Sequence, residues 1–225
     1  MSKITKIEAF AETADTDMGL NQPMSPSVFP PFRTLSLVHP RRLAAERAFG
    51  AGAFRKIIWQ PEGEIGACAA TVAHAMTRWG GAPVLGLHIH VWPKLFIEAM
   101  PHYVWCRPDG FLVDLTDKYP TDPIRHSVFV PFAGGNDMAP GNSRYFVLRN
   151  VPQVMALINT GVEQVQRRRR IEEGIRARQG ANAGDGRLLD YAEAQEKAIL
   201  DQDERRVAAA IRACLDLEGR SDCSV

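Results

Sequence analysis

The chain has 225 residues, 45% of them hydrophobic and 24% charged, with a formal net charge of +1. That composition supplies a sizeable core and excludes disorder along the whole chain. No apolar run approaches the roughly 20 residues that span a bilayer, and the near-neutral charge gives no general attraction to nucleic acid or anionic membranes.

Residues 1–35 read as irregular, because Pro23, Pro26, Pro30 and Pro31 remove donors and break helices. They also lack the apolar stretch of a signal peptide. A short helix is expected next, with Pro40 at its first position and Gly50 at its end. Phe54 to Trp59 has strand composition. A polar turn over residues 60–64 should follow, then a helix from about Ala67 to Trp79, stopped by Gly80 and Gly81. From Pro83 the pattern changes to strands: 84–90, then 95–99, then 102–107 and 111–116 around a turn at Pro108, Asp109 and Gly110. Residues 127–131 and 144–149 read as a further strand pair, joined by a surface loop. After Pro152 the chain turns helical, with apolar residues recurring from Val154 through Leu157, Ile158, Val162 and Val165 to Ile171. A break at 179–186 precedes a second helix, about Arg187 to Leu217, bearing Ile199, Val207, Ile211 and Leu215. Its polar middle, 201–206, is expected to kink or project. The chain therefore divides into an irregular segment (1–35), an α+β core (36–150) and a C-terminal helical arm (151–225).

Chemistry concentrates between residues 66 and 116. Cys68 falls at a helix start, where the macrodipole and unpaired N–H groups favour a thiolate and can hold an oxyanion. His102 is the candidate base and Asp114 the group that orients it. The turn makes this pairing testable on paper. A three-residue loop with Gly110 left-handed pairs Arg107 with Phe111 and sets Asp114 opposite Val104, on the face that carries His102. A two-residue loop would put the two side chains on opposite faces.

Gly66-Ala67-Cys68 at a helix start, His102 on a strand with Trp105 near it, and Val113-Asp114-Leu115 after a turn resemble, in that order, the transglutaminase-like branch of the papain-like cysteine peptidases. Residues 78–84 also resemble the helix-to-strand passage of that core. The resemblance covers about fifty residues. It implies a papain-like core, with the cysteine helix packed on an antiparallel sheet, and a Cys68–His102–Asp114 triad. His102 and Asp114 stand closer together than is usual in that branch, and Leu115 replaces a common proline. For the oxyanion donor two candidates stand open: Gln60, which resembles the papain-type glutamine, and the indole N–H of Trp59.

The expected activity is cysteine-dependent hydrolysis of an amide or peptide bond, or transfer of its acyl group to an amine. The alternative is a non-catalytic interaction protein acting through its helical arm, by partner binding or self-association. His88, Glu98 and Trp105 are expected cleft residues. His88 and His90 share a strand face and could meet a metal with His102 or Cys68. No CxxC or HExxH spacing supports this, so no metal and no cofactor are expected. Arg167 to Arg170 form a basic run, read as a solvated helix face balanced by Glu163, Glu172 and Glu173 and not as a nucleic-acid site. Cys68, Cys106, Cys214 and Cys223 are too scattered for a disulfide framework, so a cytoplasmic setting with reduced thiols is expected.

Overall fold

The computed structural model describes residues 31–132, 142–180 and 186–221. It divides into two units, one up to Leu148 and one from Arg149 onward. The first contains β1 (Arg33–Thr34), α1 (Arg42–Phe49), β2 (Arg55–Gly63), α2 (Cys68–Trp79), β3 (Ala82–Trp92), β4 (Phe96–Cys106), β5 (Leu112–Thr116), β6 (His126–Pro131) and β7 (Arg144–Val147). The second contains α3 (Pro152–Gly180) and α4 (Gly186–Ser221). The architecture is α+β: a sheet that closes on itself, with two helices in its own unit and two in the C-terminal unit. No helix among the described residues is long and apolar enough to cross a membrane.

The sheet closes because β3 pairs with both β4 and β6, while β6, β2, β5 and β4 run on in sequence around the ring. β1 and β7 extend it outside, β1 on β3 and β7 on β4. All pairings are antiparallel except β2 with β5, which is parallel. The expectation of a wholly antiparallel sheet is corrected at that one pair.

Alternation along the strands sorts the side chains. One outer face carries Leu87, Ile89, Val91, Ile97, Ala99, Val128 and Val130 under Ala45 and Phe49 of α1. Another carries Trp105, Val113 and Leu115 under Val72 and Ala75 of α2. Each fully buried aliphatic side chain of this kind contributes about 1.5–3 kcal/mol. The face enclosed by the ring is mixed: Ile57, Val104 and Phe129 form a small apolar cluster, and His88, His102, Asp114 and Ser127 are buried beside it. Both helices of this unit end at glycines, α1 at Gly50 and α2 at Gly80.

The turn after β4 forms as its chemistry dictates. Trp105 pairs with Val113 and Cys106 with Leu112. The Arg107 N–H donates to the Phe111 carbonyl at 2.9 Å, and Gly110 takes the left-handed conformation at φ 88°. This is the three-residue loop, so His102 and Asp114 share a face.

Elsewhere the elements differ from expectation. The segment read as a turn, 60–63, continues β2 through an irregularity in its pairing with β5, ending with Gly63 opposite Thr116. Residues 95–99 and 102–107 merge into one strand, β4, running through Pro101. The segments 127–131 and 144–149 do not pair with each other: β6 joins β2 and β3, and β7 joins β4. Within the segment read as irregular, Arg33 and Thr34 form β1; residues 1–30 lie outside the described residues, as does most of the expected 132–143 loop. α1 begins at Arg42, two residues after Pro40.

In the C-terminal unit Val154, Leu157 and Ile158 of α3 and Leu200, Ile211 and Cys214 of α4 are buried. α4 runs unbroken through the polar middle at 201–206. Asp203 there is buried, and its carboxylate pairs with Arg167 Nε at 2.9 Å and with Arg206 at 3.5 Å. Arg206 also meets Glu163 at 3.2 Å. One member of the basic run is thus paired with α4 while staying partly exposed. Val165, Ile199 and Leu215, read as part of the apolar stripe, are substantially exposed.

Candidate active site

Cys68 is the first residue of α2. Ala67 before it has no polar side chain, and no side-chain cap bond is formed, so first-turn backbone N–H groups keep their donors for a ligand. The strands leave a place for this helix start. β5 covers Trp105 and Cys106 of β4, and β7 covers Phe96 to Ala99. Between those stretches the outer side of β4 has no strand neighbour, and there the Tyr103 N–H reaches Cys68. By alternation, the donor missing at Pro101 would also point away from β3, so the proline removes no bond of that ladder.

The thiol hydrogen-bonds the His102 imidazole as well as the Tyr103 N–H. Burial pushes its pKa up, but the charge on His102, the bond to that ring and the Tyr103 N–H together hold it below the ordinary thiol value, against a smaller push from Asp114. His102 Nε2 lies 2.9 Å from Asp114 Oδ1, which leaves Nδ1 for the thiol. Burial alone would lower the His102 pKa. The Asp114 and Cys68 charges, with the hydrogen bonds to both, push it up to about 10. Asp114 is completely buried, which opposes its ionisation, yet His102 above all, then His88 and the Ser127 hydroxyl, hold its carboxyl far below the usual carboxylate range. It accepts the Ser127 hydroxyl at 2.6 Å on Oδ2 and the Thr116 N–H at 3.1 Å on Oδ1. The arrangement is a thiol, an imidazole and a fully engaged carboxylate in series, with the charge on the ring lowering the thiol pKa and the carboxylate raising that of the ring.

The other expected site residues fall elsewhere. Gln60 is exposed, and its amide donates to Glu62 Oε1 at 3.0 Å. The Trp59 indole N–H donates to the Thr116 carbonyl at 2.9 Å, with Lys118 and Arg125 over its ring. Both proposed oxyanion donors thus already have other acceptors. Trp105 is not a cleft wall: it lies on the outer face, donates its N–H to the Gly80 carbonyl at 2.8 Å and packs against Trp79. Glu98 is buried against Tyr145, its pairing partner on β7, and its pKa is raised by that burial. His88 is buried beside the pair: its ring centroid is 4.9 Å from that of His102, and its Nε2 is 3.8 Å from Asp114 Oδ2.

Ser127 is the partner that reading the sequence misses. It reaches Asp114 only because β6 and β5 both flank β2, and no local pattern announces that pairing. Compared with protein-family models, with curated proteins and with solved structures, the chain matches none of them.

Proposed function

We propose that this protein is a cysteine-dependent amide hydrolase or acyltransferase on a papain-like core of the transglutaminase-like type. One observation carries the reading: a thiol at an uncapped helix start hydrogen-bonds a histidine whose far nitrogen is held by a buried carboxylate. The Cys68 thiolate attacks the carbonyl carbon of an amide or peptide, and the resulting oxyanion is held by backbone N–H groups at the start of α2, that of Cys68 first. The His102 imidazolium gives its proton to the leaving amine as the C–N bond breaks. Water or a second amine, losing its proton to His102, then resolves the thioester and returns the thiol. Asp114 keeps the ring oriented with Nδ1 toward sulfur and stabilises its charge. The chain order of cysteine, histidine and aspartate supports the same reading. Its substrate is a peptide or amide, and its need for a reduced thiol favours a cytoplasmic location.

The test is the pH dependence of Cys68 alkylation by iodoacetamide, read by mass spectrometry. Labelling should be fast at neutral pH in the wild type and should move to the ordinary thiol range, near 8.5, in His102→Ala. Slow labelling, unchanged by that substitution, would refute the couple. Cys68→Ala should abolish turnover of any amide substrate found by screening.

A second reading has its own observation. Val165, Ile199 and Leu215 are 41%, 38% and 36% exposed along α3 and α4, which favours self-association or partner binding by the helical arm. Sedimentation of the wild type beside a triple polar variant at these positions separates this role from catalysis.

A further inference from the structure

Inside the closed sheet, His88 is 5% exposed, and its Nε2 has no hydrogen-bond partner among the described residues. Leaving such an atom unsatisfied is costly, so native interiors supply a partner in nearly every case. The atom is aimed at Asp114 Oδ2, 3.8 Å away, and the pairing nitrogen of His102 is 2.9 Å from the other carboxylate oxygen. All three ligand atoms lie within 4.8 Å of one another. Around a tetrahedral zinc ion, ligand atoms at the usual bond lengths stand about 3.3 Å apart, between the two shorter separations. The donor set is two imidazoles and a carboxylate, a combination that suits borderline divalent ions better than calcium or magnesium. The thiol stands on the opposite side of the His102 ring and is not part of this set.

We propose that His88, His102 and Asp114 form a binding site for a divalent transition cation of the zinc type, which switches off Cys68 by occupying His102 Nε2. The ion bonds His88 Nε2, His102 Nε2 and an Asp114 oxygen. The proton between His102 and Asp114 leaves to solvent as the ion takes its place. With a cation on Nε2, the Nδ1 proton facing Cys68 can leave only by forming a metal-bound imidazolate. His102 then becomes a far weaker acid toward the leaving amine and offers no free nitrogen as a base, and Asp114 no longer orients the ring through a hydrogen bond. The binding half of this inference stands without the catalytic reading; the switching half rests on it.

Cobalt(II) titrated into metal-free wild type and Cys68→Ala reads the binding half. One equivalent should give visible d–d bands without a thiolate-to-cobalt charge-transfer band, and the same spectrum should persist in Cys68→Ala. His88→Gln should weaken binding by at least the roughly tenfold lost when an outer partner of a metal site is removed. No saturable binding, or a thiolate band that vanishes in Cys68→Ala, would overturn the site. The spectra of wild type and Cys68→Ala decide the matter even where His88→Gln fails to fold. For the switching half, zinc-loaded wild type should hydrolyse p-nitrophenyl acetate, whose acyl-enzyme needs His102 as a base, on the order of tenfold more slowly than the metal-free protein. Equal rates would overturn the switch. Slow alkylation of Cys68 in the metal-free protein would instead count against the catalytic reading while leaving the cobalt result intact.

Discussion

Replacing Asp114 with Asn tests whether the buried carboxylate holds a charged His102. In the fold His102 is pushed up to about 10 from an ordinary 6.5, so its protonation adds stability that is complete below pH 6.5 and is lost as pH rises through about 10. The full shift corresponds to about 5 kcal/mol at 1.36 kcal/mol per unit. Removing one partner of a buried ion pair costs about 3–5 kcal/mol by mutational experience. Asp114 is itself held low, and its contribution is present above its unfolded value of about 3.9 and lost as pH falls below that. The loss of stability in Asp114→Asn should therefore peak near pH 5–6, at about 3–5 kcal/mol, and shrink to about 1 kcal/mol or less at pH 10. Urea unfolding read by tryptophan fluorescence measures it, because Trp59, Trp79, Trp92 and Trp105 all belong to the barrel unit. An equal loss at pH 6 and pH 10, or a loss under about 1 kcal/mol at pH 6, would refute the ion pair.

Ser127→Ala removes the 2.6 Å bond to the same carboxylate and should cost about 1.5–3 kcal/mol, the range for a hydrogen bond to a charged group; an unchanged urea midpoint would contradict it. Two glycine substitutions separate backbone strain from crowding. Gly110→Ala, at φ 88° with nothing near its new methyl, should cost about 1–2 kcal/mol. Gly81→Ala, at φ 89° with the methyl 2.3 Å from the Cys106 carbonyl oxygen, should cost a further 1–3 kcal/mol or so; the reverse order in thermal melts would be inconsistent with this packing. In the arm, Asp203→Ala breaks the contacts to Arg167 and Arg206. Both arginines are about half exposed, so screening limits the loss to about 1–2 kcal/mol, read as a lower midpoint in thermal circular dichroism; no change would contradict it.

What could be read from the sequence follows the range of the interaction. The turn at Pro108, Asp109 and Gly110 fixes a register through local backbone chemistry alone, and that register puts His102 and Asp114 on one face. Alternation along β4 also places Trp105 on the opposite face from His102, so its assignment to a cleft ran against a signal the sequence contains. Closure of the sheet was not legible, because it depends on β6 reaching β3 and on the parallel pairing of β2 with β5, contacts between distant segments with no local mark. The same pairing carries Pro61 and Gly63 into a strand, although both residues favour turns; Gly63 is needed there because a side chain would meet Thr71 of α2. Asp203 looked like part of a solvated stretch because its partner, Arg167, is a helix away.

The closed sheet also bears on how a substrate can be recognised. Among the described strands, only β1 and β7, two and four residues long, lie at the ends of the pairing order. Many proteins capture an extended peptide by letting it add to an exposed sheet edge, so that main-chain bonds supply affinity whatever the side chains are. Edges this short give little of that general grip, and they equally blunt strand-to-strand aggregation. On the reading proposed above, the short stretch of β4 without a strand neighbour beside Cys68 adds little to that grip, so selection falls mainly on the side chains that flank the scissile amide.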